Sequence, residues 1–218
     1  GRHQLDLITK VDLMRVIDRV ADQGKLTQAN RVRAFITRFF NFATERDLLS
    51  TSPAAALPRP AIEASRDRVL SAYEMLAVWR AAEQRGFPFG PIVQLLILTA
   101  QRRDEVAAMR WSELDLERGR WTIKKERAKN GKAHIVHLSP QSLAILNKLP
   151  ILDGSDLVFT TTGRSAVSGF SKAKVWLDTR TQVFDWRLHD LRRTSATYMA
   201  DELRVSPTVV DRILNHVS

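Results

Sequence analysis

The chain of 218 residues has 34 lysines and arginines against 24 aspartates and glutamates, and its formal net charge is +10. With 44% hydrophobic residues it should fold around one large or two small cores, and with no cysteine it has neither disulfides nor zinc–thiolate sites. A chain this basic favours a polyanionic partner, nucleic acid first, although charge alone leaves open a merely solvated basic surface.

The first region in chain order, residues 9–48, has the periodicity of two amphipathic helices. Thr9 is placed to cap the first helix, and Gly24 should end it. Apolar residues of the second helix recur at helical spacing and predict a buried face. The aromatic residues expected in that core face are Phe35, Phe39 and Phe40. The arginines around this helix, which face either solvent or DNA, are Arg31, Arg33 and Arg38.

A proline-rich stretch at residues 50–65 shows no sustained period. Proline is rejected from helix interiors and keeps a segment extended, so the stretch indicates a linker. We therefore predict a helical region over residues 1–58, a linker over 59–67 and a larger region over 68–218. Both regions are basic, as expected if both contact one polyanion.

The larger region is predicted to be mainly α-helical with a small antiparallel β element. Helical periodicity predicts helices at about 72–84, 91–99, 103–110 and 188–200. Two β-type runs, 120–123 and 133–138, flank a polar stretch with an Asn130-Gly131 turn signal and predict a hairpin. Ser-Pro pairs at 139–140 and 206–207 should begin two further helices, and residues 157–159 are a candidate short strand.

The stretch HDLRRTSATYMA, residues 189–200, contains residue types that bind phosphate and move protons. On a helix, His189 and Arg192 are three residues apart and share a face. Tyr198 lies nine residues beyond His189, about 180° around the helix and about 13 Å along its axis. We therefore predict that Tyr198 is a packed aromatic side chain and not a nucleophile.

Two other stretches concentrate charge. Arg102 follows an apolar segment, where Glu105 could hold its guanidinium for bidentate phosphate binding; a structural ion pair is the alternative. The predicted hairpin could enter a DNA groove or remain a solvated loop. Its basic residues are Arg118, Arg120, Lys124, Lys125, Arg127, Lys129 and Lys132. His216, at a helix end, is by itself typical of a surface residue.

In order and type, the stretches TAQRRDE, ERAKNGKAHIVHLS, HDLRRTSAT and LNH resemble the motifs of tyrosine recombinases, the phage-type integrases. The likeness is greatest to integrases of prophages and integrative elements, and it spans nearly the whole chain. It implies part of a helical core-site-binding domain, followed by a tyrosine-recombinase catalytic domain.

The resemblance also implies roles for individual residues. Arg102 and Arg192 would clamp the scissile phosphate, and Lys129 would protonate the departing 5′-oxygen, with Lys132 as a weaker candidate. His189 would assist proton transfer, and His216 would donate a hydrogen bond to the phosphate. The expected supports of these groups are Glu105 and Asp190. The expected DNA contacts are Arg31, Arg33, Arg38, Arg103, Lys124, Lys125, Arg127, Lys132 and Arg193.

Three departures from the family pattern stand out. Ala100 and Asn215 occupy positions where the family prefers glycine. The nucleophilic tyrosine of the family lies shortly after the position of His216, whereas this sequence ends at Ser218. We therefore expect these 218 residues to bind DNA without cleaving it.

The function implied is site-specific integration or excision of a mobile element through a 3′-phosphotyrosyl intermediate, with no cofactor and no metal. The expected partners are double-stranded attachment sites and further copies of the protein, a tetramer on DNA with a monomer in solution. No membrane contact is expected, and the location would be the bacterial cytoplasm, at the nucleoid during action. The alternative is a non-catalytic architectural DNA-binding module, which predicts no convergence of Arg102, Lys129, His189 and Arg192.

Overall fold

The structure, a computed structural model, describes residues 5–62 and 67–216. The chain divides into two compact units, residues 1–66 and residues 67–218. Each unit has a hydrophobic core of its own.

The first unit is built on two helices, α1 (Lys10–Ala21) and α2 (Leu26–Glu45). Thr9 caps α1 as predicted: its hydroxyl accepts from the backbone N–H of Asp12, whose carboxylate accepts in return from the backbone N–H of Thr9. Gly24 has a φ of 72° and lies in the turn between the helices, which confirms the predicted break.

The prediction that the aromatic residues of α2 are core residues is right for one and wrong for two. Phe40 is 3% exposed, whereas Phe35 is 72% and Phe39 45% exposed. In this unit α2 buries a narrow stripe against α1, which includes Ala29 and Phe40. Periodicity identifies an apolar side of a helix, but not how much of that side a partner covers.

The first part of the proline-rich stretch is not a free linker. Ala54 and Leu57 are buried against the helix pair, at 1% and 3% exposure. Arg33 Nε donates to the carbonyl oxygen of Leu57 at 2.7 Å. Proline prevents helix formation here without preventing packing. Residues 63–66 of the predicted linker lie outside the described residues.

The second unit is mainly helical with a three-stranded antiparallel sheet, as predicted. Its helices are α3 (Ala72–Arg85), α4 (Phe89–Thr99), α5 (Arg103–Ala107), α6 (Pro140–Leu146), α7 (Phe170–Thr181), α8 (Leu188–Asp201) and α9 (Pro207–Ile213). Its strands are β1 (Leu114–Asp115), β2 (Arg120–Ile123) and β3 (His134–His137). The strand order is β1–β2–β3.

The hairpin of β2 and β3 places one face on the core. Trp121 pairs with Val136 and Ile123 with His134, and the first three of these side chains are buried. The loop between the strands contains Gly131 at a φ of 68°, in agreement with the predicted turn. Lys129 lies in this loop.

Four elements differ from the prediction. Helix α5 ends at Ala107 because the following residues bond to another segment: the carbonyl oxygen of Met109 accepts from Val158 N at 2.9 Å. Leu157 forms a single β-bridge with Arg110 instead of a strand. Helix α7 and strand β1 were not predicted, because the apolar residues of α7 are not confined to one side of the helix and β1 has only two residues.

Helix α4 organises the second unit. It contacts α3, α5, α6 and α8 and contributes fully buried side chains such as Ile92 and Leu95. It ends at Ala100, which adopts a left-handed conformation with a φ of 54°. This turn releases the chain from the core at the point where Arg102 follows.

Candidate active site

Arg102 lies at the N-terminal end of α5, directly after the turn that ends α4. Its guanidinium forms an ion pair with Glu105 at 3.0 Å, and the other carboxylate oxygen accepts from the backbone N–H of Arg102 at 3.2 Å. The Glu105 side chain is 5% exposed and that of Arg102 20% exposed. The pairing expected from the sequence is confirmed, and it holds a guanidinium that solvent still reaches.

Arg192 lies on α8 and is 4% exposed. One terminal nitrogen donates to the carbonyl oxygen of Ala100 at 2.6 Å, and the other donates to the carbonyl oxygen of Leu214. Arg192 therefore bridges the C-terminal ends of α4 and α9. Both ends carry unpaired carbonyls and the negative pole of a helix dipole, which favour a cation.

The two guanidinium groups lie close enough to perturb each other. Burial lowers the pKa of Arg192 to about 10, the positive charge of Arg102 acts in the same direction, and the carboxylate of Glu105 opposes both. Arg192 stays charged at neutral pH. Two cations held together with one carboxylate leave an excess of positive charge, which an anion such as a phosphate would neutralise.

His189 and Lys129 join this arrangement. His189 lies one turn before Arg192 on α8 and is solvent-accessible. Partial burial lowers its pKa, as do the charges of Arg192, Arg193 and Lys129, whereas Asp190 raises it. Charge interactions thus link Arg102 to Arg192, and His189 to both Arg192 and Lys129. We name these four residues the basic cluster.

The C-terminal end of α9 connects the elements that carry the basic cluster. Three backbone oxygens lie at the C-terminal end of α9 and are named here the carbonyl cluster: those of Ile213, Leu214 and Asn215. Each accepts from a side chain of another element. The donors are Gln101 and His134 to Ile213 O, Arg192 to Leu214 O, and Asn130 to Asn215 O. Gln101 precedes Arg102, and Asn130 follows Lys129, so these contacts bring the two flanking segments to one place.

Comparison with known proteins agrees with this geometry. Residues 68–218 match the family model described as Phage integrase family, and residues 1–60 match the Phage integrase central domain. The chain belongs to the phage integrase family. Its integrase fold places the basic cluster entirely within the second unit.

Two relatives illustrate the similarity. The shufflon-specific DNA recombinase of Escherichia coli is 30% identical over 198 residues, which are 86% of this chain and 50% of the relative. The integrase of Escherichia phage lambda is 25% identical over 227 residues, 98% of this chain and 62% of the relative. The chain spans about half the length of the curated relatives it matches.

Solved structures have the same fold. A lambda integrase dimer bound to a COC' core site gives a TM-score of 0.76 at 22% identity, with 100% of this chain and 82% of that chain covered. A lambda integrase tetramer bound to a Holliday junction gives 0.73 at 23% identity, covering 98% and 66%.

The two substitutions at glycine positions of the integrase pattern have a common geometry. Ala100 has a φ of 54° and Asn215 a φ of 51°, so both lie in the left-handed region. Glycine enters this region without steric cost, and asparagine enters it more readily than other residues. The backbone therefore keeps the turn that glycine favours, with a side chain added at each position.

His134 is a site residue that sequence reasoning missed. Its Nε2 lies 3.1 Å from Ile213 O, beside the basic cluster. Burial lowers its pKa, as do Arg192 and Arg102, whereas the bond to Ile213 and the charge of Glu105 raise it. A histidine sharing the inward face of β3 with the buried Val136 was the available signal.

Three predicted site residues have other contacts. Arg127 pairs with the buried Glu113 at 2.7 Å and donates to the carbonyl oxygen of Glu105 at 2.8 Å, so its guanidinium is an internal anchor and not a free DNA contact. Arg33 is likewise bound to Leu57 O in the first unit. His216 Nδ1 lies 3.1 Å from Asp211 Oδ1, so the structure ties it to its own helix and gives it no contact with the basic cluster among residues 67–216.

The remaining predicted residues divide into exposed and paired side chains. Asp190 is buried and accepts from the backbone N–H of Arg187 at 2.8 Å, which fixes the start of α8. Arg193 approaches Asp190 at 3.5 Å, and Arg103 pairs with Asp104 at 2.7 Å. The exposed basic residues are Arg31, Arg38, Lys124, Lys125 and Lys132.

Neither tyrosine of the chain is in the basic cluster. Tyr198 is half-buried and lines an apolar cavity of about 430 Å³ together with Met75 and Met199. Tyr73 is 81% exposed on α3. Among residues 5–62 and 67–216, no helix combines the length and apolar content that a membrane crossing needs. In the same ranges, His, Asp and Glu side chains form no group of three suited to a metal ion.

Proposed function

We propose that the chain is the DNA-binding and phosphate-activating part of a site-specific recombinase that integrates or excises a mobile element. The whole protein would cleave and rejoin DNA strands through a 3′-phosphotyrosyl intermediate. The observation that carries this proposal is the convergence of the basic cluster within one unit. Arg192 and the neighbours of Arg102 and Lys129, which are Gln101 and Asn130, all donate to the carbonyl cluster at the end of α9. The charge of Arg102 also acts on Arg192, and the charges of Arg192 and Lys129 act on His189.

The cluster suits an in-line displacement at phosphorus. The two arginines would neutralise the non-bridging oxygens of the scissile phosphate as negative charge builds up in the transition state. A tyrosine oxygen would attack the phosphorus while the bond to the 5′-oxygen breaks. Lys129 would give its proton to that oxygen, and His189 would assist the transfer of the tyrosine proton. Since the new ester conserves the bond energy, the reversal by a 5′-hydroxyl needs no ATP.

The attacking tyrosine in this proposal follows Ser218 in the whole protein. Tyr198 contributes to an apolar cavity and Tyr73 lies on the surface of α3, so neither supports the role. His216 would turn from Asp211 to the phosphate when DNA is bound. Glu105 and Asp190 would fix the positions of Arg102 and of α8.

The first unit would bind the core site next to the cleaved bond, with Arg31 and Arg38 as exposed basic residues that can meet the backbone. In the second unit the proposed backbone contacts are Arg103, Lys124, Lys125, Lys132 and Arg193. The partners would be attachment-site duplexes and three further copies of the protein on DNA, with a monomer in solution, in the bacterial cytoplasm and at the nucleoid. The architectural alternative predicts no basic cluster.

The test is covalent trapping. The protein with its native sequence after Ser218 is incubated with a nicked duplex that carries the junction sequence of its mobile element, so that the cleaved fragment diffuses away. We expect a protein–DNA adduct that survives denaturation, and peptide mapping should assign it to a tyrosine beyond Ser218.

Tyr198→Phe and Tyr73→Phe are the matched controls, and both should form the adduct at the wild-type rate. Tight binding without an adduct would support the architectural alternative. An adduct lost in Tyr198→Phe would overturn the assignment of the nucleophile.

A further inference from the structure

Asn130 directly follows Lys129 and joins the β2–β3 loop to the residue before His216. Its Nδ2 donates to the backbone oxygen and to Oδ1 of Asn215, at 2.9 Å in each case. Asn215 Nδ2 returns a bond to Asn130 Oδ1 at 3.3 Å. The two amides therefore form a reciprocal pair between segments that are 85 positions apart in the sequence.

Lys129 depends on its neighbours for its position, because its own side chain is exposed. Before it, Ala128 is 7% exposed in the core and Arg127 is anchored on Glu113. After it, the amide pair of Asn130 supplies an anchor. The backbone of Lys129 is thus held from both sides while its ammonium stays accessible.

The amide pair requires the side chain of Asn215. A glycine would keep the backbone oxygen as an acceptor, but it has no Oδ1 and no Nδ2. The φ of 51° at Asn215 directs its side chain and carbonyl to the same partner. The pair also adds the third member to the carbonyl cluster, which already binds the segments of Arg102 and Arg192.

We propose that Asn130 and Asn215 are positioning residues, whose amide pair holds Lys129 where its ammonium reaches the departing 5′-oxygen. This inference rests on the proposed function and deepens it. Loss of the pair should slow the proton transfer from Lys129 and leave phosphate binding by the arginines unchanged.

The decisive measurement compares two leaving groups in the nicked-duplex assay. Asn130→Ala should cleave the ordinary duplex about tenfold more slowly than wild type, since small misplacements of a reacting group cost this much or more. In a duplex with sulfur in place of the scissile 5′-oxygen, the thiolate leaves without a proton because its pKa is far below that of an alcohol. On that duplex Asn130→Ala and wild type should react equally fast.

A variant at position 215 should show a smaller loss of cleavage rate. Asn215→Gly suits the left-handed backbone and removes only the side chain. Its rate of cleavage on the ordinary duplex should therefore lie between those of wild type and Asn130→Ala. Asn147→Ala, an exposed asparagine at the end of α6, is the matched control and should show no change.

A second readout needs no cleavage and uses the 218-residue chain. The charged groups facing His189 are Arg192, Arg193, Asp190 and Lys129, and the charge of Lys129 lowers the pKa of His189. In an NMR titration, Lys129→Ala should raise this pKa, and the size of the rise measures the whole contribution of the Lys129 charge. Asn130→Ala should raise it part of the way, because Lys129 is no longer held near His189.

Three results would count against the positioning role, and a fourth would count against the proposed function. A wild-type rate for Asn130→Ala on the oxygen substrate, or an equal deficit on the sulfur substrate, overturns the positioning role. An unchanged His189 pKa in folded Asn130→Ala does so as well. If no adduct forms with any variant or with wild type, the proposed function fails, and the titration still decides whether the amide pair holds Lys129.

Discussion

Arg192 and Lys129 both belong to the basic cluster, but the structure holds their charges in different ways. Arg192 is 4% exposed, and both terminal nitrogens donate to backbone oxygens of helix ends. Lys129 is exposed in a loop, and the contacts that fix its place belong to its neighbours, Arg127 and Asn130. The first charge is fixed directly and the second through the backbone.

This difference suits two different chemical tasks. A group that stabilises charge works best when it is fixed in advance, because no reorganisation is then needed during the reaction. A group that delivers a proton must move with the departing atom. It follows that stability and catalysis should be coupled at Arg192 and separable at Lys129.

Arg192→Ala should have the largest effect and test this coupling. Removal of the guanidinium leaves the buried oxygens of Ala100 and Leu214 without a donor, which should lower the free energy of unfolding by about 3 kcal/mol. Loss of one charged group at the phosphate should reduce the rate of cleavage by about 10³-fold. Urea unfolding and the nicked-duplex assay measure the two quantities.

Arg192→Lys separates the two effects. It keeps a charge and can bond to one of the carbonyls, but it lacks the planar fork that grips a phosphate with two donors. Relative to Arg192→Ala, Arg192→Lys should restore the free energy of unfolding more fully than the rate of cleavage. Wild-type stability in Arg192→Ala would show that its carbonyl contacts do not hold α4 and α9 together.

Glu113→Ala should give the next largest effect, on stability. Glu113 Oε2 accepts from Arg127 at 2.7 Å and from Trp121 Nε1 at 3.1 Å, and its side chain is fully buried. Removing one partner of a buried ion pair costs about 3 kcal/mol. Thermal or urea unfolding measures the loss, and Glu117→Ala, an exposed glutamate nearby, should remain within about 0.5 kcal/mol of wild type.

Lys129→Ala should separate catalysis from stability. The free energy of unfolding should stay within about 0.5 kcal/mol of wild type, since an exposed side chain is lost. Cleavage should be about 10²-fold slower, the loss typical of a missing general acid. If Lys132→Ala shows the larger loss of cleavage in the same assay, Lys132 is the proton donor instead.

The sequence was sufficient where partners are near neighbours on one element. The spacing of three residues predicted the Arg102–Glu105 pair and the shared face of His189 and Arg192, and the Asn-Gly step predicted the β2–β3 turn. It was insufficient where a contact joins distant segments. The internal role of Arg127 depends on how the β2–β3 loop meets Glu113 and α5. The carbonyl cluster depends on how the end of α9 meets the hairpin and α8. The exposure of Phe35 depends on how little of α2 is covered. No local pattern encodes these arrangements.

The smallest effect expected is a pH dependence from the two histidines beside Arg192. Burial is the main cause that lowers the pKa of both His134 and His189 from the ordinary value of 6.5. The unfolded chain then binds protons more readily, so the stability they contribute is present above pH 6.5 and is lost as the pH falls through the lowered values. Carboxylates with lowered pKa values act in a more acidic range; the ordinary pKa of Glu74, for example, is 4.5.

Urea unfolding at a series of pH values between about 5 and 8 checks this dependence. His134→Gln retains a donor for Ile213 O but does not titrate, so it should flatten the decline of stability on the acid side. His137→Gln, exposed on the other face of β3, should leave the decline unchanged. If the free energy of unfolding falls with pH equally in His134→Gln and in wild type, protonated His134 is tolerated beside Arg192. Solvent would then screen the positive charges of the basic cluster more than their burial indicates.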